Sequence, residues 1–209
     1  MHSYPFFAPM SPERGEVGGK ALSLMTLTRL GLPVPPGFVL SERFFEPWLA
    51  SVQASAQWGR LVGDMADEKA VNGAAVQALC LALALDEEQR AALEAALASL
   101  KAGGEPPLLA VRSSSPEEDL ESQSFAGGYE TVLGVRREGL EDALRRCFAS
   151  AFGQRVLLYK QQHGLAVDRP RMAVIVQEQV AADVAGVAFS LNPVSNCYDE
   201  AVINANYGL

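Results

Sequence analysis

Lys20 and Arg112 each lie in a short segment suited to approach an anion. Lys20 falls in Gly18-Gly19-Lys20-Ala21-Leu22-Ser23-Leu24, after two glycines and at the opening of an apolar helical pattern. Arg112 ends the apolar run 108–111 and enters Ser113-Ser114-Ser115-Pro116. Amides at a helix start, hydroxyls and a guanidinium fork are the groups that hold polyphosphate. Either segment alone reads more simply as a helix start or strand end with a solvated charge. The two together, with the segments that follow them, reverse that preference.

Familiar phosphate loops do not fit. A GxxxxGK[ST] loop ending at Lys20 requires Gly at 14 and Ser or Thr at 21, where the chain has Arg14 and Ala21. No GxGxxG follows a strand pattern. Lys20 therefore reads as a compact cation that reaches phosphate oxygens from a helix start. After Arg112 comes an acidic run, Glu117, Glu118, Asp119 and Glu121, which reads as the first turn of a helix complementing its dipole rather than as a metal site. Ser122-Gln123-Ser124-Phe125-Ala126-Gly127-Gly128-Tyr129-Glu130-Thr131 then places small residues and a glycine pair between hydroxyls. It reads as a flap whose amides cover phosphates, or equally as an exposed hairpin loop. The apolar run 174–176 leads to Gln177, and 183–190 holds a second apolar run containing Gly186 between Asp183 and Ser190. Together they describe a slot for a planar base, although a plain hairpin has the same pattern. A Ser-His-Asp hydrolase is disfavoured. His2 and His163 are the only histidines, both read as surface residues with His2 at a mobile terminus, and GxSxG is absent.

The elements that must position these groups follow from periodicity. Residues 20–30 form a helical pattern that Gly31 stops and Pro33, Pro35 and Pro36 keep from resuming. Residues 37–40 read as a short buried strand, and Ser41 as the N-cap of a helix carrying Phe44, Phe45, Trp48 and Leu49. Residues 52–101 look helical throughout, with Asp86 and Gln89 forming a capping box. Gly103-Gly104-Glu105-Pro106-Pro107 breaks the chain, and strand grammar follows at 108–111, 129–135, 172–176, 184–190 and 201–203. Leu140, Ala143, Leu144, Cys147, Phe148 and Ala151 form one helical stripe. The expectation is an α+β protein, helix-rich over 1–105 and sheet-rich over 106–209.

The 209-residue chain is long enough to bury a sizeable core, and 49% hydrophobic with 20% charged residues is ordinary globular composition. A net charge of −8 argues against a nucleic-acid surface, yet leaves room for a local basic pocket. Cys80, Cys147 and Cys197 show no CxxC spacing, so they read as reduced thiols of a cytoplasmic protein. No signal-peptide pattern and no membrane-spanning apolar run is present, so no membrane partner is expected.

Taken in order, these segments resemble the N-terminal ATP-binding domain of the phosphoenolpyruvate synthase and pyruvate phosphate dikinase family, which includes rifampin phosphotransferases. The resemblance rests on residues 17–20 through 31–39, Val111-Arg112-Ser113-Ser114 through Leu120, residues 124–131, Val176-Gln177, 185–189 with Asn192-Pro193, and Tyr207-Gly208-Leu209. It covers most of the chain and is weakest across 50–105. It implies the first lobe of an ATP-grasp fold, a mixed sheet flanked by helices. In such enzymes the β-phosphoryl of ATP passes to a histidine on a separate swivelling domain, then to pyruvate or an antibiotic hydroxyl. The resemblance implies that Lys20 and Arg112 hold phosphates, that Gly127 and Thr131 belong to the loop over them, and that Gln177 lies beside the adenine. ATP and Mg²⁺ are the implied cofactors. The second lobe with its metal ligands, the phosphohistidine domain and the acceptor domain are expected beyond residue 209. No catalytic residue or metal ligand is therefore assigned within the chain. A different class also fits: a nucleotide-sensing or interaction module without catalysis.

Overall fold

The computed structural model describes residues 1–66, 71–100, 106–116, 119–120, 123–124, 128–165 and 170–208. Two compact units are present, Met1–Gln179 and Val180–Leu209.

The first unit is organised around a five-stranded antiparallel sheet. Its strands are β1 (Ser3–Pro5), β2 (Gly37–Leu40), β3 (Leu109–Ser114), β6 (Thr131–Val135) and β7 (Ala173–Glu178). They lie side by side in the order β1-β2-β7-β3-β6. A two-stranded ribbon, β4 (Asp119–Leu120) with β5 (Gln123–Ser124), intervenes in sequence. Central β7 carries the run Ala173 to Val176, buried on both faces. Alternation sends Val174 and Val176 to one side with Phe38, Leu40, Leu109 and Val111, where the larger core lies. It sends Ala173 and Ile175 to the other side with Val39, Tyr4, Phe6, Val17, Ala21 and Met25.

Helix α1 (Arg14–Arg29) covers that second side through Val17, Ala21 and Met25, the four-residue spacing of one helical face. It ends as expected. Gly31 adopts φ 75°, its amide donates to Thr28 O, and Leu32 N donates to Leu27 O, which together form a Schellman closure. The opposite side is packed by α2 (Glu46–Gln53), α3 (Ala56–Ala66), α4 (Ala74–Leu81), α5 (Glu87–Ala98) and α6 (Leu140–Ser150), with α7 (Gln154–Gln162) following. The α6 stripe is buried as its spacing predicts. Phe148 stacks on Phe45 with ring centroids 5.6 Å apart and meets Trp48 and Phe152 edge-on. The Asp86–Gln89 capping box forms: Gln89 N donates to Asp86 Oδ1 at 2.7 Å and Asp86 N to Gln89 Oε1 at 3.0 Å.

The α+β expectation therefore holds, with several local corrections. Residues 52–101 are not one helical stretch; they break at Ala54–Ser55 and again over 82–86. Ser41 precedes a 3-10 turn (Glu42–Phe45), but its hydroxyl donates to Met1 O at 2.8 Å instead of capping that turn. The N-terminus is held by β1, and His2 Nε2 lies 2.9 Å from Glu88 Oε1. Asp119 is in a strand paired with Ser124, not in a helix turn, and Glu117, Glu118 and Glu121 lie outside the described residues.

In the second unit, β8 (Val184–Phe189) pairs antiparallel with β9 (Val202–Tyr207), from Val184 opposite Tyr207 to Phe189 opposite Val202. Gly186 permits close strand approach, since a Cβ there would lie 2.6 Å from Asn204 O.

Candidate functional site

The register of the sheet decides which side chains share a surface. Arg112 pairs with Thr131 on β6 and with Ile175 on β7, and Ala110 pairs with Gln177. Directly paired residues project to the same side, so Arg112, Thr131, Ile175 and Gln177 share one face. Ile175 belongs to the core formed under α1, so this is the side that α1 covers. In antiparallel strands, direct neighbours have Cβ atoms about 5 Å apart and diagonal neighbours about 7–8 Å apart. Arg112 therefore stands within one diagonal step of both Thr131 and Gln177.

The turn that carries Lys20 meets the end of β3 at a break in α1. At Gly18 the backbone leaves helical geometry, with φ 77° and ψ 166°, and the helix restarts. A Cβ at Gly18 would lie 2.3 Å from Ser114 O, so the close approach of the turn to the end of β3 requires glycine. Ser114 Oγ accepts from Ala21 N at 3.1 Å and donates to Val17 O at 2.6 Å. Ser114 is two residues beyond Arg112 on the same strand face, a step of about 7 Å. The restarted helix, whose second residue is Lys20, thus begins against the end of the Arg112 strand.

Other groups hold the turn in place. Arg171 Nη2 donates to Gly15 O at 2.7 Å while its Nε donates to Glu42 Oε2 at 2.8 Å. Ser115 Oγ donates to Arg171 O at 2.8 Å. Tyr4 Oη donates to Glu16 Oε2 at 3.4 Å, and burial, followed by the nearby Glu16 carboxylate, pushes the Tyr4 pKa above its usual value. Sequence reasoning missed Ser114 as a cap, and Arg171 and Tyr4 altogether. Only the Gly-Gly before Lys20 hinted that another chain segment comes close.

The candidate residues differ in their surroundings. Lys20 and Arg112 are half-buried, and Thr131 is exposed. Among the described residues no ion pair involves Arg112. Gln177 is buried inside β7, and its Nε2 donates to Pro35 O at 3.1 Å, tying the proline turn to the sheet. Beside it, Phe6 packs over Gly37, where a Cβ would lie 2.5 Å from the ring. Gly127 lies outside the described residues. A separate cleft of about 510 Å³ is lined by Glu46, Phe45, Leu49, Phe148, Arg171 and Met172, none of them a candidate residue. Chemically, a guanidinium and a hydroxyl on this face, with the helix start that carries Lys20 against the end of β3, are a set suited to an extended anion.

Comparison with known proteins matches residues 14–209 to the family described as pyruvate phosphate dikinase, AMP/ATP-binding domain. The chain belongs to this family. It is 34% identical over 199 residues to a probable phosphoenolpyruvate synthase of Methanocaldococcus jannaschii, covering 92% of this chain and 17% of that protein. It is 36% identical over 202 residues to a rifampicin phosphotransferase of a Streptomyces species, covering 93% and 23% respectively. An uncharacterized phosphotransferase of Bacillus subtilis is 34% identical over 200 residues, covering 92% and 21%. The chain therefore spans about a fifth of the length of these relatives. Among the described residues no helix is long and apolar enough to cross a membrane.

Proposed function

We propose that this chain is the ATP-binding lobe of a phosphoenolpyruvate synthase-like phosphotransferase. In this reading the β-phosphoryl of ATP passes to a histidine on another, swivelling domain and then to pyruvate, giving AMP and phosphate. The observation that carries the reading is the register that sets Arg112 and Thr131 on the face under α1, beside the helix start bearing Lys20. Lys20 and Arg112 hold phosphate oxygens, Thr131 adds a hydroxyl from the start of β6 rather than from the loop, Gly127 belongs to the loop over them, and Gln177 lies at the adenine end. Because Gln177 Nε2 is already engaged by Pro35, its contribution there is to fix the wall of the site. Phosphoryl transfer asks for position and charge neutralisation more than for covalent help, and two fixed cations supply both.

The parts 1–105 and 106–209 together form one incomplete ATP-grasp domain in this proposal. The second lobe, the phosphohistidine domain and the acceptor domain lie outside these residues, and the protein works in the cytoplasm. Mg²⁺ accompanies the nucleotide in the family reading. Among the described residues no group of three or more His, Cys, Asp or Glu side chains is arranged to hold a metal, so no step is assigned to Mg²⁺ here.

The 36% identity to the Streptomyces rifampicin phosphotransferase supports a second acceptor, an antibiotic hydroxyl, served by the same lobe. Assaying the complete gene product for AMP release from ATP, with pyruvate or rifampicin as acceptor, separates the readings. Pyruvate-dependent AMP and phosphoenolpyruvate are expected. Rifampicin-dependent AMP would select the second reading, and binding of ATP without AMP release under either condition would select a non-catalytic module.

A further inference from the structure

We propose that Ser114 is a positioning residue for nucleotide binding, whose hydroxyl sets the Gly18–Lys20 turn so that Lys20 and Arg112 address one polyphosphate. The inference rests on the nucleotide reading of the site.

The break at Gly18 creates a second helix start within α1, and a helix start needs acceptors for its first amides. An ordinary N-cap side chain would supply one, but glycine has none. Ser114 supplies it from another element. Its Oγ accepts from Ala21 N, the third residue of the restarted helix, at 3.1 Å. The same hydroxyl donates to Val17 O, the last carbonyl before the break, at 2.6 Å. One oxygen therefore bridges the two helical segments across the point where they separate. Ser114 is fully buried, so water does not compete for either bond.

This arrangement couples the two cations. Arg112 and Ser114 project from the same face of β3, whose pairing with β7 runs unbroken from Leu109 to Ser114. The strand end thus carries both the guanidinium and the lock on the turn that carries Lys20. Opening the lock lets Lys20 drift while Arg112 stays fixed by the sheet. Ser114 acts through Lys20 rather than by touching phosphate, because the one hydrogen its hydroxyl can donate is already given to Val17 O.

The test is a thermodynamic cycle on ATP affinity in the complete gene product, measured by calorimetry. The proteins are wild type, Ser114→Ala, Lys20→Ala, the Ser114→Ala/Lys20→Ala double variant and Arg112→Ala. Removing the cap should weaken ATP binding about fivefold to tenfold, the scale of a lost N-cap. With Lys20 already absent, Ser114→Ala should change affinity by less than about twofold, which only action through Lys20 produces. Ser114→Cys, similar in shape but a poor hydrogen-bonding partner, should fall between serine and alanine. Amide exchange at Ala21 should quicken in Ser114→Ala while β3 and β7 amides keep their protection. Equal losses from Ser114→Ala with Lys20 present and in the Lys20→Ala background would overturn the positioning role. Unchanged affinity in Ser114→Ala, when Lys20→Ala binds weakly, would overturn it too. Wild-type affinity in both Lys20→Ala and Arg112→Ala would instead bring down the nucleotide reading, and the positioning role with it.

Discussion

Alanine at Gly18 should destabilise the protein more than alanine at any ordinary glycine turn, and the size of the effect follows from two terms. The backbone at φ 77° and ψ 166° lies in a region open essentially to glycine, where another residue is strained by about 1–3 kcal/mol. The new Cβ would also stand 2.3 Å from Ser114 O and 2.6 Å from Ser114 Oγ, far inside contact distance. The turn must then withdraw from β3, and the two hydrogen bonds of the Ser114 hydroxyl are lost at about 1 kcal/mol each. The total is about 3–5 kcal/mol, a large part of the 5–15 kcal/mol typical of a whole domain. At about 2–4 °C per kcal/mol for a chain of this size, the melting temperature should fall by roughly 6–20 °C. Gly31→Ala is the internal control. It has nearly the same φ, 75°, but nothing within 4 Å of an added methyl, so it carries only a backbone penalty of about 1 kcal/mol. Thermal melts of the three proteins under identical buffer check the difference. Equal losses for Gly18→Ala and Gly31→Ala would show that the Ser114 contact does not hold the turn, and a wild-type melt for Gly18→Ala would refute the reasoning outright.

Three further outcomes are expected. Phe148→Ala empties the centre of the ring cluster formed with Phe45, Trp48 and Phe152, and should cost about 3–5 kcal/mol in urea unfolding; a loss below about 1 kcal/mol would place the core elsewhere. Burial pushes the Cys80 and Cys147 thiols up to about 12 from the usual 9.0, so both bind their protons more tightly folded than unfolded. The stability they contribute is complete below pH 9 and is lost as pH rises towards 12, so the urea midpoint should decline above pH 9, less steeply in Cys80→Ala; equal slopes would contradict this. The isolated 209-residue chain should bind ATP weakly, because losing even two charge-assisted contacts of about 1.5–3 kcal/mol each lowers affinity by orders of magnitude. Tight, Mg²⁺-dependent binding in calorimetry would show that the site is complete within these residues.

The features legible in the sequence were those with a local cause. Gly31 with its following prolines marked the end of α1 because a left-handed residue and missing amides act on the turn where they stand. The Asp86–Gln89 box and the α6 stripe likewise carry their explanation within a few residues. What escaped were partners distant in sequence. Strand β1 has three residues and includes a proline, and only its pairing with β2 reveals it. The Ser41 hydroxyl turns to Met1 O rather than to its own turn, and nothing in residues 41–45 signals that choice. For the candidate site, the residue types at Lys20 and Arg112 suggested anion chemistry, whereas the face that Arg112 shares with Thr131 and Gln177 came from the register of β3 with β6 and β7. The capping role of Ser114 spans 93 residues of sequence to Ala21, so no local pattern could disclose it.

The claim that Arg112 is a phosphate ligand is tested most directly by histidine phosphorylation in the complete gene product. A guanidinium at a strand position can meet two phosphate oxygens together, while lysine offers one flexible point charge. Single-turnover labelling with ATP carrying a labelled β-phosphate should therefore show Arg112→Lys well below wild type and Arg112→Ala lower still, with melting temperatures close to wild type in both. Equal labelling rates in all three proteins would remove Arg112 from the site and contradict the nucleotide reading of this face.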